Sequence, residues 1–382
     1  MSTSPPASLP LPLTIRGAVL ERSDAEAPYA TSQPLRVQEL TLDAPGPGEI
    51  LVRIEAASIC HSDLSVVDGS RPRPLPMLLG HEAAGIIEQL GDGVEDVQLG
   101  QRVVMTFLPR CGDCRGCASN GRMPCEVGSA SNGEGTLLSG GQRLHAAGTP
   151  IKHHLGISGF ATYAVVSRRS VVPVGDDVPA DVAALLGCAM LTGGGALINV
   201  ARPNPTDSVA VIGLGGVGLA ALLTARALGV QRIVAIDAQS AKFDTALAMG
   251  ASAALTPDEA LASGERFTVV VEAAGHPLAL ENGIHLTAPG GITVTVGLPR
   301  PGQETRIDPL TLTAEARTIV GSYLGSAVPK IDIPRYEQLW REGKLPVESL
   351  ISDHIPLDQI NDAMDALREG RAIRQIINFP GA

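Results

Sequence analysis

Aromatic side chains are scarce in this chain. Phe, Tyr and Trp together make up 3% of 382 residues, so its cores must be built from aliphatic side chains. Positive charge is also in deficit: 29 Lys and Arg stand against 40 Asp and Glu, a formal charge of -11. A nucleic-acid surface needs basic patches for phosphates and stacking platforms for bases, and this composition offers neither. The same deficit argues against docking on an anionic membrane. Apolar runs read as too short for the roughly 20 residues that cross a bilayer. Met1 to Leu13 is rich in Ser and Pro and lacks a basic start followed by a long apolar stretch. It does not read as a secretory signal, and residues 1–13 are expected to form a disordered leader. A cytoplasmic location is the expectation that follows.

Length favours two domains. From Arg16 to about Gly187, short strands such as Ile50–Ala56, Ala84–Gln89 and Arg102–Met105 are broken by Gly and Pro, the pattern of an irregular, mostly β domain. Cys111–Cys125 and the Gly/Ser-rich stretch Gly128–Gly148 read as surface lobes. At Asp207 the pattern changes. Ser208–Gly213, Arg232–Asp237, Phe267–Glu272 and Ile292–Val296 read as strands, with Leu219–Leu228, Lys242–Met249 and Leu278–Leu286 as helices between them. Strands alternating with helices predict a parallel sheet of right-handed βαβ units. Pro257 and Gly264 argue against a full crossover helix between Ala254 and Phe267. Asp358–Glu369 has helical periodicity and Ala372–Phe379 reads as a strand, a tail expected to return to the first domain. The expected division is therefore 14–188 with 324–382, and 189–323.

Gly213-Leu214-Gly215-Gly216-Val217-Gly218 fits G-x-G-x-x-G. The match alone is weak, because glycine turns are common. Here it follows a strand, opens a helix, and is succeeded by Asp237 at the end of the next strand, which is the dinucleotide-binding context. Glycine lets the backbone approach a pyrophosphate, and the helix N-terminus favours its charge. Asp237 would accept from the ribose hydroxyls and repel a 2′-phosphate, so the expected cofactor is NAD rather than NADP. A structural strand–turn–helix with a capped surface Asp is the plainer alternative.

There are six cysteines. Cys111, Cys114, Cys117 and Cys125 fall within one short segment, the pattern of a closed tetrahedral zinc site that holds a loop; an iron–sulfur cluster is the main rival. Cys60, His81 and Cys188 are dispersed. Two thiolates and one imidazole would leave zinc a fourth, exchangeable position, with Asp63 able to orient His81 and Glu82 beside it. Spacing does not pair these three, and buried cysteines often serve as small hydrophobes.

These residues carry a likeness. Ser58-Ile59-Cys60-His61-Ser62-Asp63, Gly80-His81-Glu82-Ala83-Ala84-Gly85, the four-cysteine loop, Leu186-Gly187-Cys188 and the glycine turn together resemble the medium-chain, zinc-containing alcohol dehydrogenases, from about Gly17 to Phe379. The resemblance implies an α/β chain with a Rossmann-type doubly wound domain and a GroES-like catalytic domain. It implies a catalytic zinc on Cys60, His81 and Cys188 and a structural zinc on the four-cysteine loop. Ser62 matches the hydroxyl that bonds substrate oxygen, and Asp63, Glu82 and His154 stand with it as catalytic-site candidates. His61, Thr192, Asp237, Lys242, Val296 and Arg374 match cofactor positions, together with Gly213, Gly215, Gly216, Val217 and Gly218. The segment Pro150–Tyr163 resembles the long-form branch, which implies a homodimer paired through the cofactor domains.

Three departures from that family pattern stand out. Ser65 replaces the histidine that often ends a proton relay. His61 occupies a position that is often Arg. His154 sits where a bulky apolar residue commonly lines the pocket, and reads as a polar substrate contact, a substitute proton acceptor or a spacer. Phe107, Leu298 and Tyr323 join it as pocket candidates. The expected reaction is reversible hydride transfer between an alcohol (primary, aryl or allylic) and NAD. Two rivals stand beside it. One is a thiol-dependent formaldehyde dehydrogenase, in which Arg71 and Arg73 would meet an adduct carboxylate; the other is a non-catalytic NAD-binding zinc protein.

Overall fold

The computed structural model describes residues 9–379. The chain forms two compact units. The first runs up to Ala118 and adds Cys125–Gly187 and the tail from Asp353; the second takes Ser119–Pro124 and Cys188–Ser352.

In the first unit, a closed barrel is made by Leu13–Leu20, Leu35–Leu42, Leu144–Ala146, Thr149–His153 and Met77–Leu78. Leu13–Leu20 and Leu35–Leu42 pair antiparallel from Leu13↔Leu42 to Leu20↔Leu35. Ile15, Val19, Leu40, Leu42, Leu78 and Val165 meet in an aliphatic core, as the shortage of aromatics requires. Leu9, Leu11 and Leu13 pack against that core. This corrects the expected leader at its end: apolar burial orders the chain from Leu9, while residues 1–8 lie outside the described residues.

The strand Glu49–Ser58 organises the second sheet of this unit. It pairs antiparallel with Glu82–Leu90 on one side, ending at Ser58↔Glu82, and with Arg374–Asn378 on the other, through Ile376↔Ser58. Both registers converge at its C-terminal end. They bring His81, Glu82 and Arg374 next to the segment that leads into Cys60. The stretch 128–148, read as a surface lobe, is partly structural: Glu126–Glu134 is a helix in which Gly128, Ser131 and Asn132 are buried.

The second unit is built on a six-stranded parallel sheet, ordered Ala253–Leu255, Arg232–Ile236, Ser208–Ile212, Phe267–Glu272, Thr287–Thr295 and Thr318–Gly321. In chain order these strands read 3-2-1-4-5-6, the dinucleotide-binding order with its crevice where the direction of winding reverses, at the end of the first strand. The strand interiors are fully buried and rich in Val, Ile and Ala, as a sheet covered by crossovers requires.

Three expectations are revised. Pro257–Ala262 does form a short crossover helix. Pro257 sits in its first turn, where its missing N–H costs nothing, and Thr256 and Glu259 make a reciprocal capping box. The tail returns to the first unit at Asp353 rather than near 324. The cause is the helix Pro329–Arg341, whose Tyr336 is fully buried and packs where a Cβ on Gly194 would stand. Finally, Ala180–Ala201 is a continuous helical run long and apolar enough to cross a membrane. Its residues are almost all buried inside the fold, so the length reflects a core helix. The division between the units falls within this helix, between Gly187 and Cys188.

Candidate metal centres and cofactor turn

All four cysteines of the loop belong to the first unit. Its four sulfurs lie within 4.8 Å of one another, with Cys111 Sγ–Cys117 Sγ at 3.8 Å and Cys114 Sγ–Cys125 Sγ at 3.9 Å. Four thiolates at the usual Zn–S length of about 2.3 Å stand roughly 3.8 Å apart in a tetrahedron, so the spacing suits a closed zinc site. Backbone amides are aimed at the sulfurs: Cys111 N and Gly128 N donate to Cys125 Sγ, Gly112 N to Cys117 Sγ, and Cys117 N to Cys114 Sγ. The amides of Cys117 and Glu126 pull the Cys114 thiol down to about 6, which favours the thiolate. Burial pushes its neighbour Cys117 the other way. Four thiolates this close repel one another unless a cation stands among them.

The second set gathers at the end of the strand Glu49–Ser58. Cys60 is the N-cap of the helix His61–Val67, and Asp63, three residues on, accepts from Cys60 N at 3.1 Å. That reciprocal cap fixes where the Cys60 side chain points. Asp63 Oδ1 also receives His81 Nδ1 at 2.9 Å, with both groups buried. A neutral imidazole bonded this way carries its proton on Nδ1 and turns the Nε2 lone pair toward a ligand. Burial opposes charge on His81, but the Asp63 carboxylate and then Cys60 outweigh it and raise the imidazole well above its usual value. Burial likewise pushes Asp63 up, and His81 and His154 more than offset it, so its carboxyl lies below the ordinary range.

Cys60, His81 and Glu82 are all buried in the first unit. Cys188 is buried too and follows Gly187 directly, as the first residue of the second unit on the same helical run. Gly187 explains the approach: a Cβ there would stand 2.2 Å from the carbonyl oxygen of Met105, so only glycine lets this helix lie so close to the strand. The donor set, two thiols and an imidazole with an adjacent carboxylate, suits zinc with a position left open.

Two neighbours were not legible from spacing. Arg374, matched to the cofactor, has its guanidinium 3.3 Å from Glu82 Oε1 and 3.5 Å from Cys60 Sγ, and is 1% exposed. The Ile376↔Ser58 register puts it there, across 314 residues of chain. His154 has its Nδ1 3.2 Å from Asp63 Oδ1. Its ring and that of Phe107 both lie edge-to-face on His81, at 5.6 Å between centroids. Phe107 is therefore beside the ligand set. Ser62 lies on the first turn of the helix that Cys60 caps, and His61 on the same turn is exposed. Ser65 Oγ donates back to His61 O at 2.8 Å. Leu298 and Tyr323 belong to the second unit and are exposed there.

In the second unit the glycine turn has the form its pattern requires. Gly213 has φ +93°, and a Cβ on Gly218 would stand 1.8 Å from Gly213 O, so the helix sits hard against the strand end. Gly215 faces open space and is the N-cap of the helix Gly216–Ala227, with no side chain to occupy its amides. Gly216, Val217 and Gly218 thus present a first turn open to an anion. Asp237 Oδ2 accepts from Leu214 N at 2.7 Å and from Lys242 Nζ at 3.1 Å, while Oδ1 accepts from Gln239 N. The carboxylate is tied to the turn itself, where a ribose diol would meet it. Thr192 is buried in the helix Leu191–Gly195, and Val296 N donates to Glu272 O.

A parallel sheet with a glycine turn at its switch point, carried on one chain with a barrel unit that holds a four-cysteine set, is the architecture of a dinucleotide- and metal-linked dehydrogenase class. Comparison with known proteins agrees. Residues 46–176 match the alcohol dehydrogenase GroES-like domain and residues 216–342 the zinc-binding dehydrogenase domain. The chain is 35% identical over 366 residues to a putative alcohol dehydrogenase D of Mycobacterium tuberculosis, covering 93% of this chain and 99% of that one. It is 37% identical over 356 residues to a geraniol dehydrogenase of Castellaniella defragrans, covering 91% and 95%. Its fold matches a benzyl alcohol dehydrogenase of Acinetobacter calcoaceticus with a TM-score of 0.88 at 31% identity, covering 96% and 99%. The chain belongs to the zinc-containing medium-chain alcohol dehydrogenase family.

Proposed function

We propose that the chain catalyses reversible, NAD-dependent oxidation of a primary alcohol of the aryl or allylic kind. Catalytic zinc is assigned to Cys60, His81 and Cys188, and structural zinc to Cys111, Cys114, Cys117 and Cys125. The observation that carries the reading is the buried Cys60 thiol beside the Asp63-oriented imidazole of His81, with Cys188 supplying a second buried thiol. Two thiolates and one imidazole leave zinc an exchangeable position, whereas four thiolates close it. The geraniol and benzyl alcohol relatives support the substrate class, because both names denote a hydroxyl one carbon from a π-system.

Bound zinc supplies a Lewis acid, and bound NAD supplies the hydride acceptor. The protein's own residues do the rest. Asp63 fixes the His81 tautomer. Arg374 offsets the negative charge of Glu82 and Cys60. Ser62 stands next to Cys60 on the helix, in place to bond the alcohol oxygen and take its proton outward. Ser65, turned back onto its helix, does not extend that path, so the proton leaves by way of the cofactor ribose or water. The glycine turn with Gly213, Gly215, Gly216, Val217 and Gly218 holds the pyrophosphate, and Asp237 with Lys242 holds the ribose. His61, Thr192 and Val296 are assigned to the same cofactor. We place the enzyme in the cytoplasm as a homodimer paired through its cofactor units.

The test is NADH formation at 340 nm across a panel of alcohols, with and without low-molecular-weight thiols, alongside zinc content. Two zincs per chain and thiol-independent turnover of aryl or allylic alcohols are expected. Formaldehyde oxidation that requires thiol would replace this reading with an adduct dehydrogenase. One zinc and no turnover would replace it with a non-catalytic NAD-binding protein.

A further inference from the structure

The helix Glu126–Glu134 docks without an apolar face. Its buried residues are Gly128, Ser131 and Asn132, while Val127 is exposed. Two of the buried ones, a turn apart, meet the same short segment of chain. A Cβ on Gly128 would stand 2.4 Å from the carbonyl oxygen of Pro109, and Asn132 Nδ2 donates to the carbonyl oxygen of Phe107 at 2.7 Å. Ser131 Oγ turns back onto its own helix and donates to Val127 O. A surface helix ordinarily docks by burying an apolar stripe. This one docks by a close backbone approach and one buried amide.

The segment it braces lies beside the candidate metal ligand. The strand Arg102–Met105 ends in the pair Ala83↔Met105, and the same antiparallel register, carried on by two residues, sets Phe107 opposite His81. The Phe107 ring lies edge-to-face on the His81 imidazole, with 5.6 Å between centroids and 86° between planes. Phe107 is past the end of the strand, where a buried carbonyl takes its hydrogen bond from outside the ladder. Asn132, itself 5% exposed, supplies that bond. The other end of the amide, Oδ1, is buried and accepts no hydrogen bond among the described residues. Such an acceptor costs free energy, so it is the bond to Phe107 that orients the amide. Arg73 Nη1 donates to Asn132 O at 3.3 Å and ties down the same turn of helix.

We propose that Asn132 is a positioning residue for Phe107, and that through it the helix Glu126–Glu134 sets an aromatic wall favouring aryl over saturated alcohols. A substrate whose oxygen is held at His81 carries its next atoms beside whatever flanks that imidazole, and Phe107 flanks it. A phenyl group that meets an aromatic ring edge-on or offset gains more than the area it buries, whereas a saturated ring of the same size gains the area only. Without the Asn132 N–H, the bend from Phe107 to Pro109 is free to shift, and the Phe107 ring leaves its seat on His81. The inference rests on the proposed oxidation of an alcohol at His81.

The experiment compares kcat/KM for benzyl alcohol and cyclohexylmethanol, which share a carbon skeleton, in the zinc-loaded wild type, Asn132→Leu, Phe107→Leu and the double variant. The ratio of the two values should fall about 2–10-fold in each single variant and no further in the double one. Asn132→Ala replaces the leucine variant if that chain does not fold. Incorporated 4-fluorophenylalanine reports on the ring directly. Of the five phenylalanines, the fluorine signal that Phe107→Leu removes should be the one that moves in Asn132→Leu, with the other four unchanged. An unchanged ratio in Asn132→Leu overturns the inference. So does a double variant in which the two single effects multiply, which marks the residues as independent, and so does a shift of all the signals, which marks a general loss of packing. An unmoved Phe107 signal defeats the positioning role alone. A wild type that oxidises neither alcohol defeats the proposed reaction, a result distinct from the others.

Discussion

At the scale of single residues, chemistry is concentrated where buried groups of opposite sign meet. Cys60 is the sharpest case. Cys60→Ala should release one of two zincs and abolish turnover while NAD binding, measured by fluorescence titration, stays within about twofold. Full turnover with one zinc missing would remove the catalytic zinc assignment. Asp237 gives an independent check on the other unit. Asp237→Ala should shift the ratio of kcat/KM values from NAD toward NADP, by an order of magnitude or more if a repelled 2′-phosphate is the cause. The same variant also loses the caps to Leu214 N and Gln239 N. Its melting temperature therefore has to be read beside the ratio. Arg374 faces Glu82 and Cys60 in the interior. Removing one partner of a buried charge pair commonly costs roughly 3–5 kcal/mol, so Arg374→Met should lower stability to denaturant by an amount of that order. A change below about 1 kcal/mol would mean that Glu82 finds its compensation elsewhere.

At the scale of elements, the barrel strand Thr149–His153 carries a pH response of its own. His153 is buried, and its Nε2 accepts from Arg143 N at 3.1 Å, which requires the neutral ring. Burial, the largest influence, pushes its imidazole down from 6.5 to about 4. The unfolded chain therefore binds the extra proton first. Stability from this group is fully present above about 6.5 and is lost as pH falls toward about 4. A depression of that size corresponds to roughly 3 kcal/mol at most. His153→Gln keeps an acceptor without the titration, and its unfolding free energy should be flatter than wild type between those limits. Parallel curves would show that His153 does not govern the acid limb. Elements also explain what could be read early. The strands Arg102–Met105 and Phe267–Glu272 were legible to the residue, because their short length and β-branched content decide for strand where periodicity alone would not. The helix Pro257–Ala262 was not, because Pro257 and Gly264 read as breakers, whereas Pro257 stands in the first turn, where a missing N–H is no loss.

For the whole molecule, several large apolar side chains of the second unit are exposed, among them Leu278, Ile307, Leu310 and Ile331, with Leu310 at 75%. Thr318–Gly321 is an edge strand of its sheet. The edge strand supports the proposed homodimer, since a sheet edge invites a second copy. Sedimentation should give about twice the chain mass for wild type, and Leu310→Glu should shift it toward monomer. A monomeric wild type would remove the proposal.

The local sequence was enough to determine the glycine turn with Asp237, the four-cysteine loop and the βαβ rhythm of residues 207–296. Each of these is a short-range pattern whose geometry follows from glycine conformation, thiolate spacing or strand burial. The catalytic set was different. Cys60, His81 and Cys188 were joined by likeness to a family, not by spacing, because Cys60 and His81 are brought together by strand registers and Cys188 follows the one glycine that admits a helix against a strand. Arg374 beside Glu82, and His154 on Asp63, had no local signal at all. They are consequences of Ile376↔Ser58 and Leu78↔His153. A helix long enough for a membrane was likewise a matter for tertiary structure, since only packing tells a core helix from a span. Pairings across hundreds of residues depend on the sum of many weak contacts, and that sum exists only in the folded chain.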